Sequence, residues 1–361
     1  MIESSSIKEQ DTQPVSLPGN GDCWAVSDGR AGIEIQTVSL IMAFGEEPDR
    51  LHLEMRRPWR WLPPAFIPRF SGMEKLVYKN AARDRLQQLK EGRAEPKLIV
   101  GCGRQAALFG VFARRIARLK GLSTKVVQVQ DPKIPPALYD FVVTPQHDRL
   151  RGKNVLITEG GLNTVTPERL SAAAQELSGR ISHLPTPLVS VLIGGKSKAH
   201  DLSAKDLEKL LATLEKWHRS SGCSFLVTPS RRTPHDLKAM IRKQLAGIPH
   251  FYWDGEKSEA EGGSGEGGPN PYLGYLAVAE HIVATEDSVN MVTEAASTGK
   301  PVWIAGVSGG SAKFSRFHQS LREKSFTRPL ADTPEDWRST PLQEALRIAR
   351  ELARRFEKQA S

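Results

Sequence analysis

The residues best placed to do chemistry gather in positions 285–302 of this 361-residue chain, which read Thr-Glu-Asp-Ser-Val-Asn-Met-Val-Thr-Glu-Ala-Ala-Ser-Thr-Gly-Lys-Pro-Val. The pattern is a strand end, a polar turn, a short helix, a glycine stop and a proline leading into the next strand. Ser288 is suited to cap the helix, whose first backbone N–H groups can hold an anion. Glu294 falls two turns in, beside Ala295, Ala296 and Gly299, whose small size permits close approach. A carboxylate there can accept both hydroxyls of a ribose. A capped helix with a solvated glutamate would produce the same string.

Two companion segments follow other apolar runs. Residues 192–198, Leu-Ile-Gly-Gly-Lys-Ser-Lys, end a strand in a glycine pair. Gly194 and Gly195 would let a phosphate approach the backbone, and Lys196 or Lys198 would add charge; a tight turn explains them equally well. Residues 228–234, Thr-Pro-Ser-Arg-Arg-Thr-Pro, place Ser230, Arg231 and Arg232 at a strand's carboxyl end, an arrangement suited to a diphosphate. Thr233, just before Pro234, reads as a helix N-cap. With Asp287 and Ser288 these segments make up a donor-site set; a basic turn is the plain alternative.

In the first half, residues 27–36, Ser-Asp-Gly-Arg-Ala-Gly-Ile-Glu-Ile-Gln, offer Asp28 and Glu34, either of which could deprotonate an acceptor hydroxyl. A turn aspartate and a first-turn helix glutamate would look the same. Residues 101–106, Gly-Cys-Gly-Arg-Gln-Ala, match the GxGxxA dinucleotide fingerprint, with Asp131 at the end of the following strand. Against NAD stand the motif's absence from the first strand, Pro132 directly after the acid, and the lack of any YxxxK. Arg56, Arg57, Trp59, Arg60 and Trp61 lie in a proline-broken segment suited to a membrane interface or to an acceptor rim, or to a loop packed on the first sheet. No metal site is expected.

The elements that must position these residues alternate. Short apolar strands are expected at 23–26, 97–100, 125–129, 141–144 and 154–158, with helices at 35–44, 73–90, 105–120 and 167–177. Two prolines in 183–187 exclude helix and predict an extended hinge. A second series follows: strands at 188–193, 224–227, 250–253, 281–284 and 302–304, and helices at 204–219, 234–245, 289–297 and 313–323. Such alternation predicts an α/β fold with two doubly wound parallel sheets and a ligand cleft between domains. The expected division is a flexible lead-in (1–20), a first domain (21–184) carrying Asp28 and Glu34, a second domain (185–335) carrying the anion-binding segments, and a C-terminal helix (336–361) that is either a tail or crosses back onto the first domain. Residues 255–268 read as a Gly- and acid-rich surface loop.

Composition bounds the function. Hydrophobic residues make up 39% and charged residues 25%, the balance of an ordinary globular protein. Cys23, Cys102 and Cys223 have no CxxC spacing, which argues against a zinc staple or disulfide framework and for a reducing compartment. No apolar run reaches the ~20 residues of a membrane span. Net charge is +9, yet residues 51–120 hold 16 Lys and Arg against 5 Asp and Glu. One region therefore carries all the excess and calls for an anionic partner, or is a solvated basic face. The lack of a recognised module and the scarcity of exposed-looking aromatics elsewhere argue against nucleic acid.

The Ser-x5-Glu-Ala-Ala-x2-Gly-x-Pro-Val string resembles the nucleotide-sugar-binding segment of GT-B glycosyltransferases, in which the matching acid holds the donor ribose. SDGRAGIEIQ (27–36), GCGRQAA (101–107), VQDPKIPPALYDFVVTPQHD (129–148), SRRTP (230–234) and DSVNMVTEAASTGKPV (287–302) together resemble the mitochondrial-fission "elongated mitochondria" family from about residue 22 to 330. That resemblance implies kinship with a plant protein that acts on the outer mitochondrial surface and recruits a dynamin-related GTPase, and with many bacterial relatives. Chain length fits the bacterial type. Some relatives carry an epimerase-like label.

The expectation is thus a GT-B-like, nucleotide-sugar-dependent glycosyltransferase without metal or bound cofactor. It would be cytoplasmic, peripheral on a membrane, and directed to an envelope or lipid-linked acceptor. A non-catalytic adaptor recruiting a dynamin-like or other membrane partner is the alternative, and an NAD-dependent nucleotide-sugar epimerase ranks behind both.

Overall fold

The computed structural model describes residues 15–17, 19–197, 199–255 and 268–360. Most of the expected lead-in, Lys198 and most of the 255–268 loop lie outside the described residues. In chain order the strands are β1 (Cys23–Ser27), β2 (Pro48–His52), β3 (Leu98–Cys102), β4 (Lys125–Val129), β5 (Phe141–Pro145), β6 (Val155–Thr158), β7 (Leu188–Ile193), β8 (Ser224–Pro229), β9 (His250–Tyr252), β10 (His281–Thr285), β11 (Val302–Ala305) and β12 (Arg328–Pro329). The helices are α1 (Ala31–Met42), α2 (Met73–Val77), α3 (Asn80–Glu91), α4 (Gly103–Leu119), α5 (Pro167–Ile181), α6 (Ala204–Ser221), α7 (His235–Leu245), α8 (Tyr272–Val278), α9 (Val289–Ala296), α10 (Ala312–Glu323) and α11 (Glu344–Ala360).

The strands form two six-stranded parallel sheets, ordered β2-β1-β3-β4-β5-β6 and β12-β11-β10-β7-β8-β9. In the first, the chain steps outward from β1 to β2, then returns to the other side of β1 and winds on through β3. The reversal lies between β1 and β3, paired as Cys23 with Leu98 and Val26 with Gly101. Alternate β1 residues face opposite layers: Trp24 and Val26 join the core under α3 and α4, while Cys23 and Ala25 join the core under α1 and α11. Both faces of the sheet are therefore covered, as its apolar strands require.

The second sheet reverses between β7 and β10, paired as Val189 with His281 and Leu192 with Ala284. Val189, Val191 and Ile193 pack under α6 and α7, and Leu192 packs with α9 and α10 residues on the opposite face. Local signals fix the helix starts. A capping box opens α6, with Ser203 Oγ accepting from Asp206 N and Asp206 Oδ2 from Ser203 N, both at 3.2 Å. Pro167 opens α5 after the Thr166 cap.

The chain divides into one unit of residues 1–164 with 344–361 and another of 165–343. The sequence division at 184/185 had put α5 in the first domain; instead α5 packs on α8, with Leu177 and Ile181 in a core shared with Tyr275 and Phe251. The Pro-rich segment is accordingly no hinge but the lead into β7, held by Ser224 Oγ donating to Pro185 O at 2.6 Å. The last helix crosses back: Ile348, Leu352 and Phe356 of α11 are buried in the first unit. The single helix expected over 73–90 is two, because Tyr78 turns extended, sinks into the core and donates its hydroxyl to Gln105 O at 2.6 Å. β2, β12 and α8 had no sequence forecast.

Candidate functional site

In open parallel sheets, ligands bind outside the carboxyl ends of the strands where strand order reverses. In the second unit that place is the junction of β7 and β10, and three of the sequence candidates meet there. Gly194 N donates to Thr285 Oγ1 at 2.8 Å, Thr285 Oγ1 donates to Asp287 Oδ1 at 2.6 Å, and Gly195 N donates to Asp287 Oδ2 at 3.1 Å. The Asp287 side chain is fully buried. A Cβ at Gly194 would run into the Asp287 carboxylate, and one at Gly195 into the Arg232 carbonyl. Close approach, not a left-handed backbone, is what demands glycine at both places. Their amides are thus engaged by protein acceptors.

The β8 loop closes on the same turn. Arg232 Nη2 donates to Asp287 Oδ2 at 3.1 Å and Nη1 to Lys196 O at 3.3 Å. With its side chain 43% exposed, the guanidinium keeps solvent access while it neutralises the buried carboxylate. Ser230 Oγ accepts from Arg232 N at 3.1 Å. Thr233 is not the cap of α7, since Pro234 holds that position with no side-chain cap; the Thr233 hydroxyl instead donates to Gly194 O. Arg231 is exposed, and the exposed Lys196 ammonium lies 3.6 Å from Asp201.

Ser288 caps α9 as expected, its hydroxyl accepting from Met291 N at 3.4 Å. Glu294, half-buried two turns on, accepts from the Tyr272 hydroxyl at 2.6 Å. Burial pushes its pKa up to about 7, against the opposing pull of the Tyr272 hydrogen bond and of Arg169. Glu294 therefore changes charge near neutrality. Beside Asp287, a cavity of about 340 Å³ is lined by Glu286, His200, Gly309, Gly310, Ser315 and His318 among others. His318 Nε2 donates to Glu286 O at 2.8 Å, and burial holds its imidazole below the ordinary pKa, so the neutral ring keeps Nδ1 as an acceptor.

In the first unit, Asp28 stands at the carboxyl end of β1, beside that sheet's own reversal. It is gripped by Arg30, whose Nη2 donates to Oδ2 at 2.7 Å. Glu34 lies in the first turn of α1, 3.1 Å from His52 Nε2 and 3.5 Å from Arg50. Both candidate bases are thus paired. The glycines of the GxGxxA string serve packing: a Cβ at Gly101 would lie 3.2 Å from Ala106 Cβ, and Gly103 opens α4 with φ +82°. Asp131 turns to its own loop, accepting from Lys133 N at 2.8 Å. In the 56–61 segment Trp59 packs partly into the core, while Arg56, Arg57, Arg60 and Trp61 are exposed and Arg57 lies 5.1 Å over the Trp61 ring.

Thr285 and Tyr272 were not singled out from the sequence. Thr285 ends a strand directly before Glu-Asp-Ser, a readable signal. Tyr272 sits on a seven-residue helix too short for periodicity to reveal. Among the described residues, no group of three or more His, Cys, Asp or Glu is placed to hold a metal ion, and no helix is long and apolar enough to cross a membrane.

The Mitochondrial fission protein ELM1 of Arabidopsis thaliana is 28% identical over 402 aligned residues, covering 91% of each chain. An uncharacterised protein of Rickettsia prowazekii (strain Madrid E) is 25% identical, covering 90% of this chain and 96% of its own. Among solved structures, a UDP-GlcNAc 2-epimerase from Neisseria meningitidis bound to UDP-GlcNAc covers 94% of both chains at 11% identity and a TM-score of 0.49. The family model described as Mitochondrial fission ELM1 matches residues 31–356, and the chain belongs to that family.

Proposed function

We propose that this chain binds a nucleoside-diphosphate sugar in its second unit and transfers the glycosyl group to an envelope or lipid-linked acceptor at the cytoplasmic face of a membrane. The observation that carries the reading is the stitched junction of β7 and β10, where Gly194, Gly195, Arg232 and Asp287 converge at the sheet's reversal beside the Ser288 helix start. Asp287 and Arg232 cancel, so Arg231, Lys196 and the N-terminus of α9 would supply the net attraction for phosphates. Glu294 as carboxylate would accept the ribose hydroxyls, and the cavity at Glu286 and His318, walled by polar and apolar side chains together, would take the sugar. In transfer, the acceptor oxygen loses its proton and bonds to the anomeric carbon. The bond from that carbon to the diphosphate breaks, and the departing charge rests on arginines and helix dipoles. Asp28 or Glu34 would take the proton after leaving its present cation.

A second reading is favoured by those same ion pairs: with both bases engaged, the fold would serve as a non-catalytic adaptor that recruits a membrane partner. Thermal stabilisation of the purified chain by UDP, GDP, CMP, ADP, their sugar conjugates and NAD(H) separates the readings. A ligand at a hundredfold excess over Kd adds about 2.7 kcal/mol. A shift with one nucleotide class that Glu294→Ala abolishes supports the transferase; no shift supports the adaptor, and a shift with NAD alone supports epimerase chemistry.

A further inference from the structure

We infer that the face of the first unit built from residues 56–70 and the outer side of α4 docks on an anionic lipid bilayer, with Trp61, Phe66, Phe70 and Leu119 entering the headgroup layer. The inference rests on the membrane placement proposed above and says which surface makes it and which lipid class it meets.

These four side chains are 64%, 75%, 60% and 75% exposed. Their exposure is built, not accidental. The short turn Pro64–Phe66 buries Pro64, and Ile67 follows into the core at 1% exposure, so the backbone is anchored on both sides while Phe66 is held outward. Arg104 donates to Arg60 O at 3.0 Å and to Leu62 O at 2.5 Å, and Arg115 donates to Arg69 O at 2.8 Å. These clamps are eleven residues apart on α4, so the loop is pinned along roughly 16 Å of helix. Phe70 and Leu119 flank one groove at the far end of that line, with Arg115 and Lys120 on its rim.

Charge selects the occupant. Residues 55–73 carry four arginines and no acid, and residues 103–120 carry five Lys or Arg and no acid. Arg114 is spent on Asp140 at 2.8 Å, and the acid of the groove, Glu74, is taken by Gly72 N at 2.9 Å and Lys90 at 3.7 Å. A second copy of so basic a face would be repelled. Aromatic and aliphatic side chains framed by arginines match the lipid interface, where rings sit at headgroup depth and guanidinium groups meet phosphate. Each cation near an anionic surface adds about fivefold to the partition, and each ring that enters adds about tenfold.

The test is co-sedimentation of the full chain with vesicles of phosphatidylcholine, with and without phosphatidylglycerol, in the absence of nucleotide. The expected result is binding to the anionic vesicles only, weakening as salt rises. Phe66→Ser with Phe70→Ser should cut the partition at least tenfold at an unchanged melting temperature, since both rings are exposed, and Arg56→Glu with Arg60→Glu should do the same. Equal binding of the variants and the parent, or no preference for anionic vesicles, overturns the inference. So does a concentration-dependent dimer that the Phe66 and Phe70 changes dissolve. Because no nucleotide enters the assay, a failed transferase reading leaves this result standing, and the reverse holds.

Discussion

The Asp287 carboxylate and the Gly195 backbone N–H, 92 residues apart in sequence, meet at 3.1 Å across the point where the second sheet reverses its strand order. The same carboxylate takes the Thr285 hydroxyl and the Arg232 guanidinium. Removing it strands two buried donors. Asp287→Ala should therefore cost about 2–4 kcal/mol in chemical denaturation. Asp287→Asn keeps an acceptor oxygen and should cost less than half as much. Equal losses in the two variants would show that charge, and not the hydrogen bonds, holds the turn.

Gly194→Ala and Gly195→Ala each force a methyl group into an atom that has no room to retreat, a buried carboxylate in one case and a backbone carbonyl in the other. The loss should be about 1–3 kcal/mol each, as for an overpacked core, and stabilisation by the nucleotide that binds the parent should disappear. Gly247→Ala, with open space around its Cβ, is the control and should leave nucleotide binding intact.

Much of this was legible in the chain. The ten forecast strands are present because each is a short apolar run bounded by Gly, Pro or polar turns, and buried parallel strands leave that mark. β2 escaped because Pro-Asp-Arg-Leu-His is an edge strand with one buried residue. Gly194, Gly195 and Asp287 were readable as strand-end residues, since a sheet's carboxyl edge places Gly194 and Asp287 together whatever the intervening sequence. Their partners were not. Nothing local tells that the Thr233 hydroxyl reaches Gly194 O or that Tyr272 meets Glu294. The unit boundary was misplaced for the same reason: α5 is amphipathic either way, and only tertiary packing chooses its sheet.

Phe356 tests the return of the last helix to the first unit. It is 1% exposed and lies edge-on to Phe141 with ring centroids 5.5 Å apart. Phe356→Ala should cost about 3–5 kcal/mol, and removal of residues 344–361 should unfold the first unit while residues 165–343 keep their own core. Hydrogen exchange resolved by segment reads both effects; uniform loss of protection across the chain would contradict two separable cores.

Glu294 gives a pH signature. Its folded pKa of about 7 lies above the ordinary 4.5, so the folded state holds a proton that the unfolded state has released. Stability from this group is complete below about pH 4.5 and is lost as pH rises through 7. Screening at this half-buried position limits the swing to about 1–3 kcal/mol. Glu294→Gln removes the titration, so the variant should gain on the parent between pH 5 and 8, which guanidinium denaturation across that range would measure. Ligand binding should run the other way. A ribose needs the carboxylate, so nucleotide affinity of the parent should rise about tenfold per pH unit below 7 and level off above it. Tyr272→Phe removes the hydrogen bond that favours the carboxylate, and should move that midpoint upward. A midpoint unmoved by Tyr272→Phe, or a flat affinity profile in the parent, would remove Glu294 from the ribose contact.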